Sequence, residues 1–422
     1  MTRRSGFDFK CLGALAVALA LTTQGAQAAP DARLKAAADA AQPAVIDSLR
    51  QMVAIESGSL DLAGLAKMAD YTEARLKAAG FATERRKSTR GAGADIVIGT
   101  RQGNGGHKLM LIGHMDTVYP SGILGSQPYK VDGNRVYGPG IADDKGGIVV
   151  VLHALDILYA QGWKDFGTIT VLFNADEEVG SLGSGDLIAD IAASHDYVLS
   201  YEPNGAKSVA KVESLLLAAA GTATAFLEVK GRSAHAGAAP ELGRNALIEL
   251  SHQLLQTRDV AKDIPGAQLN WTTSQGGQAR NQIPEKAVAI GDVRLTAAGA
   301  EDKLTAALNQ KIASSRLVPE TETTLRMESG RPPFIAGPAG LALAQRAQAI
   351  YAELDNRPLA LVPGTGGGTD AGYAGRSGKP VVMESFGLSG WGFHARDEYI
   401  EIDSIVPRLY LTTRLLMELG KK

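Results

Sequence analysis

Two periods of apolar spacing trade places along this chain, and the points of exchange mark out its elements. From Asp31 to about Gly80, apolar residues such as Leu65, Met68 and Leu76 recur at three-to-four spacing in an alanine-rich background, which predicts helix. Compact apolar runs follow at Asp95–Gly99 and Lys108–Ile112, short enough to be strands. Residues 145–161 (KGGIVVVLHALDILYAQ) read as a strongly apolar helix, TITVLFN at Thr168–Asn174 as a strand, 183–193 as a helix and Tyr197–Ser200 as another strand. Strands alternating with helices predict an α/β fold whose sheet is covered on both faces.

After about residue 218 the pattern changes. Ala223–Lys230 alternates strictly, residues 241–257 and 301–315 have helical spacing, and Gln268–Ser274, Val288–Leu295 and Thr323–Met327 look like half-buried strands. Four strands and two helices make a small α+β unit. The α/β alternation resumes at Pro338, with a helix through about Glu353 and a buried-looking Val381–Met383. The expected organisation is therefore one unit built from residues 30–218 and 332–422, with a second, 219–331, inserted in it.

Composition narrows the classes of function. The 422 residues are 45% hydrophobic with net charge −2, and no long run of one sign offers a nucleic acid a basic face. The first 29 residues read as a cleavable leader: Arg3, Arg4 and Lys10 precede the apolar core 11–21, and Ala26-Gln27-Ala28 has the small-x-small form. That implies a periplasmic or secreted protein with no membrane association in its mature form. The single cysteine, Cys11, lies in the leader, so any metal must be held by His, Asp and Glu.

Ligands in α/β proteins collect at the carboxyl ends of strands. Here the run Leu109–Ile112 ends in GHMDTV, whose His114 and Asp116 share a strand face and either cap the strand or begin a metal site. TITVLFN leads into Asp176, Glu177 and Glu178, and YVLS leads into Glu202. GPGIADDKGG supplies Asp143 and Asp144, and His394 follows the glycine-spaced 387–392. Each acid alone reads as solvated. Together they would repel one another unless cations neutralised them, and imidazole with carboxylate suits zinc, with cobalt or manganese as substitutes.

The motifs GHMDTV, GPGIADDKGG, NADEEVGSLGS, YEP, SAHAGAAPELG and GGGTDA resemble the co-catalytic zinc peptidase family. That family includes glutamate carboxypeptidase (carboxypeptidase G), aminoacylase and succinyl-diaminopimelate desuccinylase, and the chain is most similar to the glutamate carboxypeptidase branch. The resemblance implies a zinc exopeptidase fold, a mixed sheet with helices on both faces, plus an inserted α+β dimerisation (lid) domain. It implies two Zn2+ per subunit, held by His114, Asp143 as a bridge, Glu178, Glu202 and His394. Asp116 would orient the His114 imidazole, and Glu177 would act as general base toward a metal-activated water. His235 would stabilise the oxyanion from across a homodimer interface. Arg294, Arg331 and Asn281 would meet the substrate, because a guanidinium fork matches a carboxylate.

The implied reaction is hydrolysis of the amide bond to a C-terminal amino acid in folate-like or N-acyl substrates. One departure bears on specificity. Between Glu202 and His235, where the glutamate-selective branch has polar side chains including a lysine and a serine, this chain reads KVESLLLAAAGTATAF. Leu215–Leu217 there would make the side-chain pocket more apolar, as in an aminoacylase or dipeptidase with the same metals. A non-catalytic binding protein of the same fold would need to have lost a ligand or the base, and all are present. The loop 364–369 (GTGGGT) could offer backbone N–H groups to a carboxylate, and Trp391 stands close enough to His394 in sequence to line the pocket. His107, His153, His195 and His252 lack any motif and read as structural or solvated.

Overall fold

A computed structural model of the chain describes residues 29–90 and 93–422. The leader expected over residues 1–29 thus falls, but for Ala29, outside the described residues. No helix among the described residues is long and apolar enough to cross a membrane.

The main sheet has six strands in the spatial order Ala82–Lys87, Asp95–Gln102, Thr168–Asn174, Lys108–His114, Tyr197–Ser200, Val381–Met383. The last four run parallel to one another and Asp95–Gln102 runs antiparallel to both its neighbours, so the sheet is mixed. Period-2 geometry explains the helices on both faces. Leu109 and Leu111 point into one core with the helices Ala32–Val53, Lys145–Ala160 and Ile405–Leu419, while Met110 and Ile112 point into a second with Gly185–Ala192 and Ala371–Gly375.

A separate antiparallel sheet takes the order Ala267–Gly276, Lys286–Leu295, Gly221–Lys230, Glu322–Ser329. The Gly221–Lys230 strand alternates buried and half-buried along its length, and helices Ala246–Thr257 and Ala300–Ser314 cover one face. Two short strands, Ala218–Ala219 and Phe334–Ile335, pair where the chain passes between the two sheets.

The structure departs from the sequence pattern in four places. The helical stretch 31–80 is two helices, Ala32–Val53 and Leu62–Ala78, with the second capped by the Asp61 carboxylate. The break passes through Gly58, where a Cβ would lie 2.3 Å from the Tyr119 carbonyl oxygen, an approach only glycine permits. The helix expected from residue 241 begins at Ala246, after a 3-10 turn at Pro240–Leu242. The strand Ala82–Lys87 (ATERRK) is too polar to declare itself, because it is an edge strand with largely solvated side chains. A third sheet of short strands, with Lys130–Asp132, Arg135–Tyr137, Tyr399–Glu401, Ser389–Trp391 and Asn204–Gly205 in order, has no signature in hydropathy.

Candidate metal centre

Register brings the acids together. His114 pairs with Asn174, and Ile112 with Ser200, so three parallel strands end at one level and their following loops open on the same edge. Asp143 reaches that edge from the loop before the Lys145–Ala160 helix, through a cis peptide bond to Asp144. The two neighbours have different partners. Asp144 is buried and accepts from Gly147 N–H at 3.1 Å and His114 N–H at 3.2 Å, tying helix to strand. Asp143 presents Oδ1 to His114 Nε2 at 3.0 Å and Oδ2 to His394 Nε2 at 3.3 Å.

Around this pair lie Glu202, with Oε1 3.8 Å from His114 Nε2, and Glu178, with Oε2 3.1 Å from His394 Nε2. Ligand atoms of His114, Asp143 and Glu178 fall within 4.8 Å of one another, as do those of His114, Glu177 and Glu202. His394 joins the first group by its contacts with Asp143 and Glu178. The second group brings in Glu177, the residue the family resemblance casts as base.

Asp116 touches the other face of the same imidazole. Its carbonyl oxygen is 3.0 Å and its Oδ1 3.3 Å from His114 Nδ1. Acceptors on that side hold a proton on Nδ1, so Nε2 is the ring nitrogen that faces Asp143 and Glu202. The Asp116 carboxylate also accepts from Glu177 N–H (3.0 Å), Glu178 N–H (3.1 Å) and Ser59 Oγ (2.8 Å). One fully buried carboxylate therefore sets both the imidazole and the Glu177–Glu178 turn.

The electrostatics are those of an anionic site. Burial pushes the carboxyls of Glu177, Glu202 and Glu178 up, reinforced for Glu178 by the Asp143 charge, while Arg331 opposes the rise at Glu177. Asp143 stays below the ordinary range against its burial, because both histidines bond to it. His114 is raised despite burial by Glu202, Asp116 and Asp143, and His394 is pushed up to about 10 by Asp143 and Glu178. Glu178 Oε1 is buried without a hydrogen-bond partner. Clustered carboxylates, two imidazole Nε2 atoms turned toward them and an orphaned carboxylate oxygen fit hard-to-borderline divalent cations, which would take the place of the imidazole protons.

Arg331 is buried against this cluster. Its Nη2 lies 2.8 Å from Glu177 Oε1 and 2.5 Å from the Glu177 carbonyl oxygen, with Nε 4.0 Å from Asp370 Oδ1. Arg294, on the Lys286–Leu295 strand, pairs with Asp292 at 3.0 Å and donates to the Gly366 carbonyl at 3.3 Å. A Cβ at Gly368 would lie 3.0 Å from Arg331 Nη1, so the glycine-rich loop lies between the two arginines. His235 and Asn281 sit elsewhere: Ala234–His235 pairs with Gln282–Ile283 in a two-stranded ribbon apart from the four-stranded sheet, and Ala236 N–H bonds the carbonyl of Asn281 in the turn beside it. His235 Nδ1 accepts from Gly237 and Ala238 N–H, which leaves Nε2–H directed outward as a donor. No hydrogen bond or ion pair among the described residues joins either to the His114 cluster.

Leu215 is fully buried in the main core, half-buried Leu216 pairs with Val362 and Leu217 packs on the core, and the glycine-rich loop is met by Ala218, Ala219 and Ala220 instead. Lys207 is ion-paired to Asp403. Trp391 is partly exposed and packs against Phe393 at 6.0 Å between centroids. The remaining histidines have local partners: His107 with Asp196, His153 with Ser48, His195 with Thr170 and His252 with Ser315.

Two residues at this site were not singled out by the sequence. Glu398 is buried, and its carboxylate accepts from Gly140 N–H (2.9 Å), Ala142 N–H (2.8 Å), Asp143 N–H (2.9 Å) and Tyr119 OH (2.7 Å). In HARDEYI it reads as one more solvated charge. Asp370 bonds Ser181 Oγ and Asn174 Nδ2 beside Arg331, and its place in GGGTDA was the only hint.

The chain is similar to known proteins in sequence and in fold. Residues 110–418 match Peptidase family M20/M25/M40. The chain is 44% identical over 407 residues to carboxypeptidase G2 of Pseudomonas sp. (strain RS-16), covering 96% of each. It is 30% identical over 346 residues to succinyl-diaminopimelate desuccinylase of Rhodopseudomonas palustris (strain BisB5), covering 77% of this chain and 86% of that one. Among solved structures, aminopeptidase PepT of Bacillus cereus superposes with TM-score 0.72 at 20% identity, over 90% of this chain and 99% of that chain. An M20 family metallo-carboxypeptidase of Sulfolobus solfataricus gives TM-score 0.71 at 16% identity, over 88% and 98%.

Proposed function

This chain belongs to peptidase family M20/M25/M40 and is a metallo-exopeptidase, and on that premise we propose that it releases a C-terminal amino acid from N-acyl or folate-like substrates with two zinc ions per subunit. The observation that carries the reading is the convergence of His114, Asp143, Glu178, Glu202 and His394 on one sheet edge, with Glu177 and Arg331 against them. In this reading His114, Glu202 and Asp143 would hold one ion, and Glu178, His394 and the shared Asp143 the other. When bound, the ions supply Lewis-acid polarisation of the amide carbonyl and acidify a water.

The chain's own groups do the rest. Glu177 takes a proton from the attacking water and returns it to the departing amine nitrogen, the double role of one positioned carboxyl. Asp116 holds the His114 ring and the backbone of the glutamate turn. The Arg331 guanidinium, paired with Glu177 in the absence of substrate, supplies a fork for the terminal carboxylate, and Arg294 and the glycine-rich loop border the same space. His235 and Asn281 lie together on an exposed two-stranded ribbon of the 219–331 segment, away from the His114 cluster, which supports their delivery to the site of a partner subunit in a homodimer. The separate four-stranded sheet supports 219–331 as the inserted dimerisation unit between 30–218 and 332–422, and the leader would direct the enzyme to the periplasm or outside.

Glutamate specificity has a competitor with its own observations. Lys207 is held by Asp403, and the residues that meet the glycine-rich loop are Ala218, Ala219 and Ala220, which offer a glutamate side chain no cation and favour an apolar C-terminal residue. A panel of one acyl group on Glu, Phe and Leu, with folate-type substrates alongside, decides between them. Chelator must abolish hydrolysis, and Glu177→Gln must keep both metals while losing about 10²–10⁴-fold in kcat. Near-normal turnover in that variant would sink the mechanism.

A further inference from the structure

A cavity of about 480 Å³ opens on the Glu178 side of the metal cluster, and Glu178 is part of its wall. Its other lining residues include Leu60, Val118 and Val179, which are exposed: Leu60 by 83%, Val179 by 46% and Val118 by 40%. A lone exposed leucine means little. Three apolar side chains on a concave wall that continues into a buried acid cluster are a different matter.

The wall is held in place. Ser59 N–H bonds the Thr117 carbonyl at 3.1 Å, Thr117 N–H bonds the Ser57 carbonyl at 2.9 Å, and Gly58 bridges to Thr117. On either side of Leu60, the Ser59 hydroxyl is bonded to Asp116 at 2.8 Å and Asp61 caps a helix at Gly64 N–H, 2.9 Å. Leu60 is therefore fixed relative to the cluster by its neighbours, while its own side chain packs on little else.

Charge decides which half of a substrate belongs there. The cavity's lining has no lysine or arginine, and its one acid besides the proposed ligand Glu178 is Asp61, so a carboxylate would find no cationic side chain there. The guanidinium that can receive a carboxylate, Arg331, contacts Glu177 instead. A substrate of the proposed reaction has an anionic amino-acid half and an acyl half, and only the second suits the cavity. Resting on that reading of the reaction, we infer that the cavity is the acyl subsite, that it takes an apolar branched-chain or aryl acyl group, and that Leu60, Val118 and Val179 set acyl specificity.

The test uses the full metal-loaded chain and N-acetyl, N-hexanoyl and N-benzoyl derivatives of one amino acid. In the unmodified enzyme kcat/KM rises at least about ten-fold from acetyl to benzoyl, the factor that apolar contacts of this size confer. Leu60→Ser and Val179→Ser, both at exposed positions, each lower the benzoyl value about five- to ten-fold more than the acetyl value. A flat acyl profile, or variants that lower all three substrates equally, overturns the subsite while leaving the exopeptidase reading standing. Failure to hydrolyse any of the three, together with the folate-type substrates, would sink that reading and the subsite with it. If Leu60→Ser instead converts a dimer to monomer in sedimentation and leaves the acyl profile unchanged, the patch is an interface between copies and the subsite is overturned.

Discussion

Glu398→Gln tests whether the metal cluster is built by the loops around it or only by its own side chains. The Glu398 carboxylate is the shared acceptor for Gly140, Ala142 and Asp143 N–H, and through Tyr119, whose hydroxyl also bonds the Ala395 carbonyl, it ties that loop to the one bearing His394. Glutamine keeps the shape but replaces one oxygen with an NH2 group that cannot accept. The milder orientation turns that NH2 toward Gly140 and Tyr119, where the hydroxyl can rotate to accept. At least one backbone N–H then lies buried with no acceptor, at a cost of about 1–3 kcal/mol.

Two ligands of the proposed Glu178–His394 position, Asp143 and His394, depend on this carboxylate, against one for the His114–Glu202 position. The first should weaken about 10–100-fold, the usual scale for a group that orients metal ligands, and the second by less than about ten-fold. The assay is titration of metal-free protein with Zn2+ against a chromophoric chelator, resolving two steps. Circular dichroism on the same samples confirms a folded chain. Equal weakening of both steps, or unchanged affinities, would refute the assignment of Glu398 as the residue that positions these loops.

Two further outcomes follow from the same geometry. Asp116→Asn keeps an acceptor for the His114 ring and should weaken metal binding less completely than His114→Ala, which removes a ligand; the reverse order in the same titration would move Asp116 into direct contact with metal. His153 is buried in the helical core beside Ser48, and burial, with the Arg75 charge, depresses it from 6.5 to about 4. Because the folded form holds the neutral ring, its stability contribution is complete above pH ~6.5 and declines as pH falls toward 4, by up to about 3 kcal/mol. Urea unfolding at pH 7 and pH 4.5 should show a smaller difference in His153→Gln than in the unmodified chain; equal differences would remove this group from the acid sensitivity.

The alternation of periods was enough to foresee an α/β sheet covered on both faces, because a strand such as Lys108–His114 must bury Leu109 and Leu111 on one side and Met110 and Ile112 on the other. The acids at strand ends were visible for the same local reason: polar residues that follow an apolar run mark where a strand leaves the core. Strand order and register were not local. That His114 aligns with Asn174 and Ile112 with Ser200 follows from pairing between segments roughly 60 and 90 residues apart, and this alignment is what turns separate acids into a cluster. Glu398, Ser59 and Asp370 stayed hidden because their work is hydrogen bonding to backbone and side chains brought near only by folding. Arg331 shows the division most plainly. Sequence marked it as a candidate partner for a substrate carboxylate, but only the packed hinge between the two sheets puts its guanidinium on Glu177 and beside Asp370. Local pattern determines which residues can be buried or left polar at a strand end; which of them meet is decided by long-range packing, where the burial of many side chains outweighs the preference of any one.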